Sequence, residues 1–162
     1  MDIYQMMLEL LGVIVFANAI PPLLARLFGT HADWPLDLGI KLGAQRLLGT
    51  SKTWRGLSGS LLLTPPVALL LGFTLWHGLL IASMAMLGDL LGSFFKRRLN
   101  IPSSGMAPGL DQIPESLFPA LAMKQILMMS WGDLLVLVVL FIFIELLLSR
   151  LGFWLGLRKQ PY

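Results

Sequence analysis

Hydrophobic positions along this chain fall in long blocks, without the strict alternation of a half-buried strand, and five blocks can be separated. The first runs from about residue 3 to 27, with Glu9 near one end and Asn18 followed closely by Pro21 and Pro22, which should bend or end a helix. The apolar stretch from Leu57 to Phe95 is too long for one bilayer crossing, which takes roughly 17 to 25 residues. It divides at Trp76-His77-Gly78 into helices of about 57–75 and 78–95, the first kinked at Pro65 and Pro66. Blocks of about 116–130 and 134–157 follow, separated by a turn at Trp131-Gly132-Asp133. The pattern predicts an all-α, polytopic integral membrane protein of about five transmembrane helices. It forms a single transmembrane domain over residues 1–162, with polar loops at 28–56 and 96–115. No internal repeat or second domain is visible. The first 25 residues lack a basic leader and a small-residue cleavage site, so the first helix is expected to be retained.

Composition sharpens that picture. Of the 162 residues, 56% are hydrophobic and 13% charged, and the mean hydropathy is +0.78; a bilayer is the natural solvent for such a chain. A formal charge of +3 would point to nucleic acid in a soluble protein, but inside-facing loops of a membrane protein need the same excess, so nucleic acid is discounted as a partner. Arg26, Lys41, Arg46, Lys52 and Arg55 belong to the first loop and its edge. Lys96, Arg97 and Arg98 open the second, and Arg150, Arg158 and Lys159 close the chain. Only Lys124 stands apart. By the positive-inside rule both long loops and the C-terminus face the cytoplasm, the N-terminus faces outward, and the protein resides in the cell's inner (cytoplasmic) membrane. With no cysteine there is no disulfide, thiolate nucleophile or Cys-based metal site.

One helix carries more than insertion requires. Asp89 lies inside the third apolar block, where a lone carboxylate costs a few kcal/mol unless it is paired or bound to a cation. Ser93, Lys96 and Arg97 follow at spacings of four, seven and eight, along one face that rises toward the loop. A magnesium-bound polyphosphate needs such a set, with Asp for the hard cation and Lys and Arg for phosphate oxygens. A salt bridge between helices accounts for it equally well. Gly105, Pro108 and Gly109 bring a second carboxylate, Asp111, back to the same mouth, a pairing that points to a metal site. The run Leu48-Gly49-Thr50-Ser51-Lys52-Thr53-Trp54-Arg55-Gly56 could present backbone amides to phosphate, or serve as a short basic cap beside an interfacial tryptophan. It lacks the spacing of a nucleotide-binding P-loop. His31 and His77 read as interfacial. Lys124 and Glu145 read first as a structural contact between the last two helices, with a role in holding the lipid pocket as the alternative, and Met84 to Met86 and Phe141 to Phe143 read as packing and lipid contact.

The run Gly88-Asp89-Leu90-Leu91-Gly92-Ser93-Phe94-Phe95-Lys96-Arg97-Arg98, with Pro108-Gly109-Leu110-Asp111-Gln112, resembles the signature of the CDP-archaeol synthase family, relatives of the phosphatidate cytidylyltransferases. Ala17-Asn18-Ala19-Ile20-Pro21-Pro22 and Pro35-Leu36-Asp37-Leu38-Gly39 agree in order and position, so the resemblance covers most of residues 17 to 112. It implies a membrane enzyme that uses CTP and Mg2+ to convert a lipid phosphate acceptor, phosphatidate or archaetidate-like, into a CDP-lipid with release of pyrophosphate. Metal-binding positions fall on Asp89 and Asp111, catalytic cations on Lys96 and Arg97, and nucleotide- or phosphate-binding positions on Lys52, Arg55, Ser93, Asn18 and Asp37. Where the family usually carries a further acid this chain has Pro114, with Glu115 one step on as a further candidate metal ligand. The alternatives are a small membrane transporter and a non-catalytic membrane assembly subunit. A homodimer is the default oligomer.

Overall fold

The computed structural model describes residues 3–103, 105 and 107–154; Arg158, Lys159 and the expected extension of the last helix to residue 157 lie outside the described residues. Five helices follow one another: α1 (Ile3–Phe28), α2 (Trp54–Leu70), α3 (Leu75–Arg98), α4 (Gln112–Lys124) and α5 (Trp131–Trp154). This is an all-helical membrane protein, and α1, α3 and α5 are long and apolar enough to cross a bilayer. α2 and α4 are shorter, at 17 and 13 residues, or about 25 and 20 Å of helix.

Capping chemistry moves the boundaries away from those that hydropathy predicts. The expected break at Trp76-His77-Gly78 lies instead at residues 71–74, where Gly72 takes φ +86. Thr74 then caps α3 by accepting from the His77 amide at 3.1 Å, so Trp76 to Gly78 form its first turn. α5 starts at Trp131, three residues earlier than expected. Ser130 and Asp133 exchange side-chain-to-amide hydrogen bonds of 2.8 and 3.1 Å, a capping box closed by Asp. α4 begins at Gln112, not 116, and ends at Lys124, not 130. Pro114 sits in its first turn, where the missing amide proton has no helical partner to lose. Pro21 and Pro22 do not end α1, which continues to Phe28.

A two-stranded antiparallel hairpin, β1 (Lys41–Leu42) and β2 (Gln45–Arg46), interrupts the first loop and departs from a purely helical expectation. It turns at Gly43, φ +68, and is pinned to the end of α3, where Arg98 donates to Leu42 O at 2.9 Å and Arg46 O at 2.8 Å. α3 is the central helix, packing against α1, α2 and α4, while α5 packs against α4 and α1. The bundle therefore has a loop end, holding both long connections, and a turn end, holding the α2–α3 and α4–α5 turns. One apolar cluster includes Leu10 and Ile14 of α1, Ile81 of α3, Met123 of α4, and Leu137 and Phe141 of α5.

Candidate active site

At the loop end, glycines let α3 approach its neighbours' backbone. A Cβ on Gly88 would stand 2.2 Å from Pro114 O, and one on Gly92 would stand 2.4 Å from Leu110 O. Only glycine fits there, and the contact lays the start of α4 directly against the Asp89 turn of α3. As a result Glu115, buried in the first turn of α4, lines the same cavity as Asp89. Lys52 reaches in from the residue preceding the α2 N-cap and places Nζ 2.5 Å from Asp89 Oδ1. Lys96 Nζ stands 2.5 Å from Asp111 Oδ1 and 3.3 Å from Gly105 O. The Asp111 side chain does not cap α4; its other oxygen accepts from the Ala107 amide at 3.2 Å and ties down the loop that delivers it.

These groups share the wall of a cavity of about 740 Å3, in the size range of small-molecule sites. Lys52, Asp89, Lys96, Asp111, Glu115 and Asn18 all line it. Asn18 Nδ2 donates one of its hydrogens to Ile14 O at 3.0 Å. The other expected site residues lie outside the lining. At about 100° per residue Lys96 stands about 20° to one side of Asp89, while Ser93 and Arg97 stand about 40° and 80° to the other. Both are buried. Arg97 donates to Pro102 O at 3.0 Å, beneath Gly49, whose hypothetical Cβ would meet its Nη1 at 3.1 Å. Arg55 turns outward to Gly29 O at 3.0 Å, to His31 O and to Asp33.

Asp37 is buried under the first loop, paired with Arg46 and accepting from the amides of Gly39, Leu48 and Gly49 at 3.1 to 3.2 Å. Burial works against its charge, but Arg46 and the three amides outweigh it and hold the carboxyl well below the usual range. Asp37 thus fixes the loop that presents Thr50, Ser51 and Lys52 to the cavity. Glu145 of α5 also lines the cavity. The suggested Lys124–Glu145 contact is not made. Lys124 Nζ lies 4.5 Å from the Trp131 ring centroid, and Glu145 is fourteen residues, or about 21 Å, further along α5. A charge midway along the most apolar helix was the signal that could have placed Glu145 in the site. Neither histidine lines the cavity.

The donor set suits a hard cation. Asp89, Asp111 and Glu115 offer only oxygen, and an ion that keeps waters and substrate phosphates in its shell needs just one or two protein carboxylates. Among the described residues no three His, Asp or Glu side chains converge as a closed metal cage.

The model of the family described as CarS-like, CDP-archaeol synthase, matches residues 3–162. The chain belongs to the CDP-archaeol synthase family. A CDP-archaeol synthase of Thermococcus kodakarensis is 33% identical over 160 residues, covering 91% of this chain and 90% of that protein. Those of Pyrococcus horikoshii and Thermococcus gammatolerans are 38% and 40% identical, and their matches cover 60% of this chain and 61% of each relative's length. A solved structure of an intramembrane enzyme for archaeal membrane lipids biosynthesis superposes with a TM-score of 0.70 at 27% identity, covering 85% of this chain and 90% of that one.

Proposed function

We propose that this chain is a CTP-dependent cytidylyltransferase of membrane lipid synthesis, transferring CMP from CTP to a lipid phosphate and releasing pyrophosphate. The observation that carries this reading is the pair of ion pairs, Lys52–Asp89 and Lys96–Asp111, set around Glu115 in one cavity with an apolar side. Two ammonium groups suit the triphosphate, oxygen donors suit its cation, and the apolar side suits a lipid. Family membership supports the same reaction.

In the reaction a lipid phosphate oxygen bonds to the α-phosphorus of CTP in line, and the bond from that phosphorus to the bridging oxygen breaks, pyrophosphate leaving with the electron pair. No covalent enzyme intermediate is required. Asp89 and Asp111 would hold Mg2+, which supplies charge neutralisation along the triphosphate, with Glu115, one step past the acid displaced by Pro114, lining the same cavity. Lys52 and Lys96 would exchange their carboxylate partners for phosphate oxygens and stabilise the departing pyrophosphate. Arg97, Asp37 and Arg55 serve from behind, fixing the loops that carry these groups, and Asn18 offers a polar contact at the lipid side. We read the loop end as cytoplasmic, in the inner membrane, with five crossings in a single transmembrane domain, the acceptor arriving sideways from the leaflet, and a homodimer as the default assembly.

A transporter would need a polar path through the bundle. Leu10, Ile14, Ile81, Leu137 and Phe141, each at most 1% exposed, close the turn end. A non-catalytic subunit leaves the two lysine–carboxylate pairs without a purpose. Purified protein given CTP, magnesium and a panel of lipid phosphates should form a CDP-lipid, and Asp89→Ala or Asp111→Asn should abolish turnover while the protein still inserts. Wild-type turnover in either variant sinks the assignment of those residues.

A further inference from the structure

The cavity is walled unevenly. Toward α2 and α3, α1 is sealed by close packing. Ser60 Oγ donates to Ala17 O at 3.0 Å, and Cβ atoms on Gly56 and Gly59 would meet Pro21 at 2.9 Å and Leu24 at 2.2 Å. Toward α5 the seal ends part-way. Up to Val15 on α1 and Ile144 on α5 the two helices contribute to one apolar cluster. Nearer the loop end, Ala17 of α1 joins α2 and α3 in a second cluster, which among the described residues includes none from α5. There Asn18, Ala19, Pro22 and Ala25 on one side and Glu145 and Leu148 on the other line the cavity. Ala19, Pro22 and Ala25 are exposed, and Leu148 is 44% exposed. Small side chains and a proline face a gap that larger ones would fill.

From this we infer that the seam between the loop-end halves of α1 and α5 is the portal through which the acceptor's alkyl chains lie in the bilayer while its phosphate reaches Lys52 and Lys96. The inference rests on the proposed function and deepens it. The exposed lining residues of α1 run from Ala19 to Ala25, six residues or about 9 Å along the helix, a span that fits within the depth of one leaflet's hydrocarbon, about 15 Å. Its occupant is a lipid phosphate whose chains stay outside the protein. The phosphate matches the ammonium groups at the loop end of the cavity, and the chains match the exposed apolar lining of Ala19, Pro22, Ala25 and Leu148. The same arrangement predicts little selection on chain length, because the chain ends never enter the bundle.

The test compares a long-chain lipid phosphate with a water-soluble analogue carrying very short chains, in wild type, Ala19→Phe, Ala25→Phe and Leu148→Trp, with Leu62→Phe on the exposed face of α2 as control. Filling the seam should lower kcat/KM for the long-chain acceptor at least tenfold, leave the short-chain acceptor within twofold and leave the KM for CTP unchanged. The Leu62 variant should match wild type. Equal losses on both acceptors, or no loss on either, overturns the portal. Should a bulky variant fail to insert, a photo-crosslinking side chain at residue 25 must capture the long-chain acceptor far more than one at residue 62, and equal capture overturns the portal as well. Wild type inactive on every acceptor overturns the parent reading instead, so the two failures are told apart.

Discussion

The turn half and the loop half of this bundle are made from the same five helices but solve opposite problems. At the turn end, Leu10, Ile14, Ile81, Met123, Leu137 and Phe141 fill the interior completely, and polar groups act at the surface as caps, such as Thr74 and the Ser130–Asp133 box. At the loop end the interior holds Lys52, Asp89, Lys96, Asp111 and Glu115 around a cavity. Lipid is as apolar as leucine, so the first half is held by packing. The second half tolerates its charges because each ammonium already has a carboxylate. The difference shows where this fold spends its stability: a rigid plug at one end positions an electrostatic site at the other.

The comparison predicts a graded set of effects. Asp89→Asn should bring the largest, a loss of about 10^3-fold in turnover per folded molecule, with insertion retained and stability lowered by about 3 kcal/mol because Lys52 loses its carboxylate partner, read by a CDP-lipid assay beside a melting curve. Gly88→Ala comes next. Its methyl meets Pro114 O, so α4 must move and turnover should fall about 100-fold, since a misplacement of about 1 Å has that effect; wild-type rates would mean that the close approach of α3 and α4 does not position the site. Leu10→Ala in the plug should do the reverse, lowering stability by about 2 kcal/mol with turnover per folded molecule retained.

Asp37→Asn should free the first loop by about 3 kcal/mol, measured as faster proteolysis between residues 29 and 53. In wild type the folded carboxyl titrates below its unfolded value, so its contribution is complete above about pH 4 and is lost as pH falls further. Proteolysis of that loop should accelerate on acidification, and the variant's should not. The smallest effect is expected for Lys124→Ala, about 0.5–1 kcal/mol from its place over Trp131, with no change in turnover.

The helices of the plug were legible because hydropathy reports apolar spans, but the residues that face inward were not, since lipid-facing positions are equally apolar. The helix ends were not, because they are set by single capping residues: Thr74 and Ser130 each move a start by three residues. The charged face of α3 was legible in part. Asp89 and Lys96 do face the cavity, but a spacing of eight rotates Arg97 far enough to serve the loop beneath Gly49. Asp37 and Arg55 resemble ligands by motif, and the contacts they make here, Asp37 with loop amides and Arg55 with loop carbonyls and Asp33, are ones no sequence pattern displays. Glu115 was legible as a candidate ligand beside Pro114, but the contact of Gly88 with Pro114 that aims the first turn of α4 at the cavity was not.

The central claim is that the loop-end cavity transfers CMP. CTP labelled at either the α- or the γ-phosphate, given to purified protein with magnesium and a lipid phosphate, tests it most directly. The account predicts that α label enters the lipid and γ label appears only in pyrophosphate, both lost in Asp89→Asn. Label from the γ-phosphate in the lipid, or no transfer to any lipid phosphate, contradicts it.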